Sequence, residues 1–436
     1  MKSELKKEIT FFPALATVMG TVIGAGVFFK SATVYSLTDN ESLGLIAWLL
    51  GGIISICAGL TGAELAASIP KTGGMMVYIE RAYGKLASFL LGWAQTIVYF
   101  PANIAALSII FATQFINLFH LNEQLLIIIA ILCATSITLI NLLGAKIGGA
   151  FQSITTIFKL IPLFLIIIFG LMTPHTVDVS LLPDSITASG SLWSKLGNGL
   201  LATMFAYDGW ILVGNIAGEM KNPKKDLPKA ISLGLFFVMI VYLLMNLALL
   251  FALPMSDIAG NSNASSDAAK VLFGQLGGKL VTLGILISVY GGINGYTMTG
   301  MRVPFAMAER QLLPFNQFFL KLTNKTKVPF NSSLVILAIA ILMMFSGSFD
   351  LLTDMLVFVI WIFYTLTFVA VFILRKREPD LARPYKVPLY PVIPLVAILG
   401  GLFIVINTLF TQTSLALVGI LLTVLGLPVY YFKQKK

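Results

Sequence analysis

The chain has 436 residues, of which 58% are hydrophobic and only 11% charged. A soluble domain carries about a quarter charged residues, so this composition excludes a water-facing globule and leaves lipid as the main solvent. The net charge of +10 raises nucleic acid as a partner, a reading that the placement of the charges removes.

A spanning helix needs roughly 20 apolar residues, and twelve such runs are present. In chain order they cover 11–37, 43–66, 86–119, 124–142, 151–172, 196–219, 230–254, 271–307, 331–347, 350–374, 388–410 and 414–432. The first is too long for a signal peptide and has no small-residue cleavage site. The run 271–307 exceeds one crossing, so it is expected to tilt or to project from the bilayer. The expected fold is an all-α polytopic membrane protein, with residues 1–436 forming a single transmembrane domain.

Threading twelve spans sorts the loops into two alternating sets. Of the 29 basic residues, 24 fall in the set that holds both termini, among them Lys6, Lys71, Arg81, Lys225, Arg310 and Arg377. Lys30, Lys195, Lys270 and Lys279 fall in the opposite set, and Lys159 lies inside a span. Such a bias places both termini in the cytoplasm. The basic balance is therefore topology, and no nucleic acid partner is expected.

The first span reads Gly20-Thr21-Val22-Ile23-Gly24-Ala25-Gly26-Val27-Phe28. A glycine in a helix interior costs about 1 kcal/mol relative to alanine, and two within three positions invite unwinding. The sixth span reads Phe205-Ala206-Tyr207-Asp208-Gly209-Trp210, an ionisable residue beside a glycine. Close packing of small residues is the plain alternative for Gly24 and Gly26. Matched interruptions in corresponding spans of two halves point instead to a binding site at the membrane midplane. Five spans per half is an odd number, so the second half is inverted relative to the first.

That geometry suits a zwitterion. Unwinding at Gly24 frees the N–H groups of Ala25, Gly26 and Val27 at the start of a half-helix, where they can hold a carboxylate. The preceding half-helix ends in the carbonyls of Thr21, Val22 and Ile23, which can accept from an ammonium group. The sixth span adds carbonyls at Phe205, Ala206, Asp208 and Gly209. One pair of breaks thus reads both charges of an amino acid without charged side chains, which are costly in lipid.

The same residues carry a family resemblance. The first-span motif resembles that of the amino acid–polyamine–organocation superfamily, and the sixth-span motif resembles that of its L-amino acid transporter branch. Ile69-Pro70-Lys71-Thr72-Gly73-Gly74 with Tyr78, Glu219-Met220-Lys221-Asn222-Pro223 and Leu227-Pro228 are similar to loops of that branch. Within it the likeness is strongest to bacterial serine/threonine and alanine–serine–cysteine exchangers. The resemblance implies a LeuT-like five-plus-five inverted repeat, over about 11–172 and 196–374, with two extra C-terminal helices in 388–432. It also implies sodium-independent antiport of small neutral L-amino acids across a bacterial plasma membrane. Eukaryotic members join a heavy subunit through a cysteine after the third span. Here His120-Leu121-Asn122-Glu123-Gln124 has none, so no such partner is expected. Many relatives have serine where this chain has Ala25, which keeps the backbone donor and drops a hydroxyl.

Lys159 is expected to be a buried ammonium bonded to carbonyls near the first break and span eight, where sodium-coupled relatives of this fold hold a cation. A stem snorkelling to the surface is the alternative. Asp208 is read first as a cap for the second half of span six, with a cation partner or a basic substrate left open. Tyr207 and Trp210 flank that break and suit either core packing or gating. Ser288, Gly291, Gly292 and Asn294 suit pocket lining or helix packing equally. Glu64 is expected to pair with a loop base. Cys57 and Cys133 read as small core residues. His120 and His175 sit in outer loops without the pattern of a metal site, and no cofactor or metal is expected. No catalytic constellation is present either, so the chain is not read as an enzyme. Within transport, the alternative is proton-coupled uptake of amino acids or polyamines.

Overall fold

The computed structural model describes residues 10–69, 74–172, 192–211 and 220–434. The residues 70–73 of one loop motif, Glu219 of the other, the second half of span six beyond 211, and His175 lie outside them.

The first run is two helices. Helix α1 (Phe11–Val22) and α2 (Gly26–Thr38) meet at a bend of 43°. Then α3 (Glu41–Ser68) begins at Asn40, whose side chain accepts the Leu43 N–H at 3.0 Å, the usual N-cap solution for an orphan donor. A short α4 (Met75–Tyr83) leads into α5 (Lys85–Ala94), a π turn at Gln95–Tyr99 and α6 (Phe100–Phe119). The π turn has a local cause. Pro101 has no N–H to return to the preceding turn, and the Phe100 N–H bonds the Gln95 carbonyl five residues back.

The chain continues through α7 (Leu126–Leu142), α8 (Ala145–Met172), α9 (Leu192–Ala206), α10 (Pro223–Ala252) and α11 (Met255–Ile258). Next come α12 (Ala264–Gly300), α13 (Arg302–Glu309), α14 (Asn316–Phe319) and α15 (Phe330–Met344). It closes with α16 (Phe349–Arg377), α17 (Val392–Thr411), α18 (Thr413–Val424) and α19 (Gly426–Gln434). Nine segments among the described residues are long and apolar enough to cross a membrane, or ten with α1 and α2 taken as one bent span. Helix α15 and the described part of the sixth span, α9, have 15 residues each. No strand occurs among the described residues.

The long eighth run is not one tilted rod. Gly274 sits at φ 71°, ψ −178° and breaks α12 near its start, and Met301 separates α13 from its end. A left-handed φ of that kind is readily adopted only by glycine.

Helices from the first half of the sequence pack on helices from the second. Helix α2 packs on α9, α3 on α10, and α6 on α12. Likewise α1 meets α10 where α9 meets α3, and α8 meets α12 where α16 meets α6. Glu64 at the end of α3 takes Arg375 Nε and Nη2 at 2.8 and 2.5 Å, and the Val387 N–H at 2.7 Å. It thereby ties α3 to the end of α16 and to the segment before α17. Large apolar side chains such as Leu132, Leu276, Phe410 and Leu421 point outward, as a lipid solvent requires.

Candidate functional site

The first expected interruption is present, α9 stops where the second is expected, and the two places touch. Residues 23–25 between α1 and α2 are not helical, and Ile23 is extended at ψ 101°. Helix α9 stops at Ala206, and Tyr207, Asp208 and Gly209 turn away, with Gly209 at φ 102°. A methyl group added at Gly26 would stand 2.6 Å from Ala206 Cα. A glycine is thus required for the start of α2 to lie on the end of α9. A methyl at Gly209 would stand 3.2 Å from the Thr21 carbonyl oxygen, so the second break also leans on the end of α1.

The polar backbone ends converge at one hydroxyl. The Tyr242 hydroxyl of α10 donates its single proton to two acceptors, the Val22 carbonyl at 2.9 Å and the Ala206 carbonyl at 3.0 Å. The Gly24 N–H in turn bonds the Tyr242 oxygen. Gly26 and Val27 open α2, ahead of its first intrahelical partner, and the Phe28 N–H closes a turn on the Ala25 carbonyl at 3.0 Å. The Asp208 N–H returns to the Phe205 carbonyl at 3.4 Å. The Gly24 N–H and the carbonyls of Val22 and Ala206 are thus joined through the Tyr242 hydroxyl. Tyr242 is absent from the sequence reading, since a tyrosine inside an apolar run carries no signal of its own. Converting it to phenylalanine leaves two buried carbonyls short of a donor, at about 1–3 kcal/mol. A lower melting temperature in micelles is the expected outcome, and an unchanged one removes the bridging role.

Lys159 is buried in α8 and its ammonium bonds the Gly20 carbonyl in the last turn of α1. It does not snorkel. The second half of span six, which Asp208 is expected to cap, lies outside the described residues, and the side chain has partners that the cap reading does not name. Its carboxylate accepts from the Tyr99 hydroxyl, from the Tyr364 hydroxyl at 2.7 Å and from the N–H of the adjacent Gly209. The π turn delivers Tyr99 to it, and Tyr296 lies beside Tyr99 with ring centroids 6.1 Å apart. Asp208 is therefore a buried junction between α6, the sixth-span break and α16.

Tyr207 and Trp210 are core residues here. The Tyr207 hydroxyl bonds the Trp48 carbonyl at 3.0 Å, and Trp210 packs on Tyr364 and Phe368. Asn294 is a packing residue too, bonded to Asn141 at 2.8 Å, to Gln152 at 2.8 Å and to the Gly148 carbonyl at 3.1 Å. Ser288 is buried with no hydrogen-bond partner for its hydroxyl.

Lys30 requires a larger correction. The charge alternation sets it in an outer loop. Instead it lies within α2, wholly buried, with its ammonium 2.8 Å from Asp350 and 3.0 Å from Asp354 of α16. Thr33 also bonds Asp350 at 2.8 Å, and Gln412 reaches Asp354 at 3.3 Å. The Phe349 and Phe205 rings face the same ammonium, at 5.3 and 5.9 Å to their centroids. The residues from Val27 to Ala32 are all buried, whereas Gly20, Thr21 and Gly24 on the α1 side are part-exposed.

Comparison with known proteins agrees with this architecture. The family model described as amino acid permease matches residues 9–427. The chain is 43% identical over 433 residues to the serine/threonine exchanger SteT of Bacillus subtilis (strain 168), covering 99% of this chain and 98% of that one. It is 27% identical to the human cystine/glutamate transporter, over 99% of this chain and 86% of the relative. It is 28% identical to the mouse Asc-type amino acid transporter 1, over 98% and 81%. A match of this extent makes the chain a multi-pass membrane transporter rather than an enzyme, and it belongs to the amino acid permease family.

Proposed function

We propose that the protein exchanges small neutral L-amino acids, such as serine, threonine, alanine or cysteine, across the cell membrane by alternating access and without sodium. The observation that carries this reading is the contact of the two helix breaks. The start of α2 at Gly26 lies on Ala206 at the end of α9, and the Tyr242 hydroxyl binds the carbonyls of Val22 and Ala206, so the first donors of α2 and the last acceptors of α1 and α9 are neighbours at one small site that suits a carboxylate and an ammonium group. The serine/threonine exchange named for the Bacillus subtilis relative agrees.

Sodium independence is supported by Lys159. Its ammonium already serves the Gly20 carbonyl, leaving that group no need of a metal cation. Twelve spans in a LeuT-like five-plus-five inverted repeat, with both termini cytoplasmic, are supported by the paired contacts between the halves and the charge bias. The lack of a cysteine at 120–124 supports action without a disulfide-linked subunit.

Purified protein in liposomes tests the reading. Labelled serine is expected to enter only when unlabelled amino acid is inside, at a rate unaffected by exchanging sodium for choline. Uptake into amino-acid-free vesicles driven by a pH gradient would replace exchange with proton coupling, for which Asp208 among its tyrosines is the available acid.

A further inference from the structure

Away from the helix breaks, a cavity of about 850 Å³ opens between α4, the start of α5, the end of α13 and α19. Its wall carries Arg81, Lys85, Arg310 and Lys433 against a single acid, Glu80. That acid takes one arginine, Arg310, at 3.4 Å. Arg81 turns to Glu378, with Nη2 at 2.5 Å. Such exposed pairs are weak, and each guanidinium keeps further donors. Lys85 and Lys433 have no acidic partner among the described residues. The volume is that of a small-molecule site, and the unbalanced charge calls for a multivalent anion with oxygen acceptors.

Position decides which anion. Lys85 opens α5 and Lys433 lies at the end of α19, and both helices belong to segments apolar enough to cross the bilayer. The two ammonium groups are therefore at the level where lipid phosphates lie. Tyr431 and Phe432, beside Lys433, are each 53% exposed, and exposed aromatics mark the membrane–water interface. Basic recesses at the ends of membrane helices suit anionic lipid head groups. We propose that this cavity is a binding site for the phosphate of an anionic phospholipid, held chiefly by Lys85 and Lys433.

The test measures lipid binding rather than transport, so it stands apart from the exchange reading. Full-length protein in micelles is titrated with phosphatidylglycerol, phosphatidylcholine or inorganic phosphate, and followed by native mass spectrometry and melting temperature. A basic residue near an anionic surface gives about a fivefold gain in affinity. The variant K85Q/K433Q is therefore expected to bind phosphatidylglycerol about twenty-five-fold more weakly. The control K224Q/K225Q, which alters exposed lysines elsewhere, should bind it like wild type. Undiminished binding by K85Q/K433Q overturns the site, as does an equal loss in the control, which would mean diffuse surface charge. Inorganic phosphate raising the melting temperature as much as the lipid, and displacing it, would make the ligand a soluble anion and overturn the lipid assignment.

Discussion

Replacing Lys30 with methionine is expected to lower stability by about 3–5 kcal/mol, the usual result of removing one member of a buried ion pair. The loss comes less from the bond than from what remains. Asp354, with a side chain only 8% exposed, keeps the Gln412 amide at 3.3 Å but loses its cation. Asp350 is half-exposed and can recover water, so Asp354 dominates the cost. The pair variant K30M/D354L removes both buried charges and is expected to regain most of the stability, since an apolar pair of similar volume often replaces a buried ion pair without penalty. Thermal unfolding of the purified protein measures both. If the double variant melts no higher than K30M, the pair is not the source of the loss. Exchange by the double variant is expected to fall even where stability returns, because Lys30 also draws α2 onto α16 beside Phe205.

Gly26→Ala and Gly24→Ala are expected to diverge although they lie two residues apart. The methyl at 26 meets Ala206 Cα at 2.6 Å and its backbone nitrogen at 3.2 Å. Backbone cannot swing aside as a flexible side chain can, so α2 and α9 must separate. Overpacking of this kind costs about 1–3 kcal/mol, and exchange is expected to drop at least about tenfold as the donors leave the carbonyls. The methyl at 24 finds only the Val22 carbonyl, at 3.8 Å, an ordinary contact. Gly24→Ala should therefore melt like wild type. Equal melting temperatures and equal exchange rates for the two variants would defeat the proposed role of the contact.

What the sequence made legible was the positions at which a local rule is broken. Paired glycines in an apolar run, and an aspartate beside a glycine in another, are visible violations, and both helices do stop there. Lys159 was visible for the same reason, as a charge deep inside a span. The charge alternation misled at Lys30. It assigns a residue near a span end to a loop, while the fact that overrules it, two aspartates more than 300 positions away, is created only by folding. Asp208 is similar. A cap is a local explanation, while Tyr99 and Tyr364, whose hydroxyls bond the Asp208 carboxylate, come from distant parts of the chain. Tyr242 gave no warning, since its value lies in where α10 places one hydroxyl.

The first span is a jointed arm with a separate latch on each segment. On one side of the joint, Lys159 of α8 grips α1; on the other, Lys30 within α2 grips α16. The two latches engage different neighbours, and the helical ladder is interrupted between them at residues 23–25. The first span therefore has two separate anchorages, one on α8 and the other on α16.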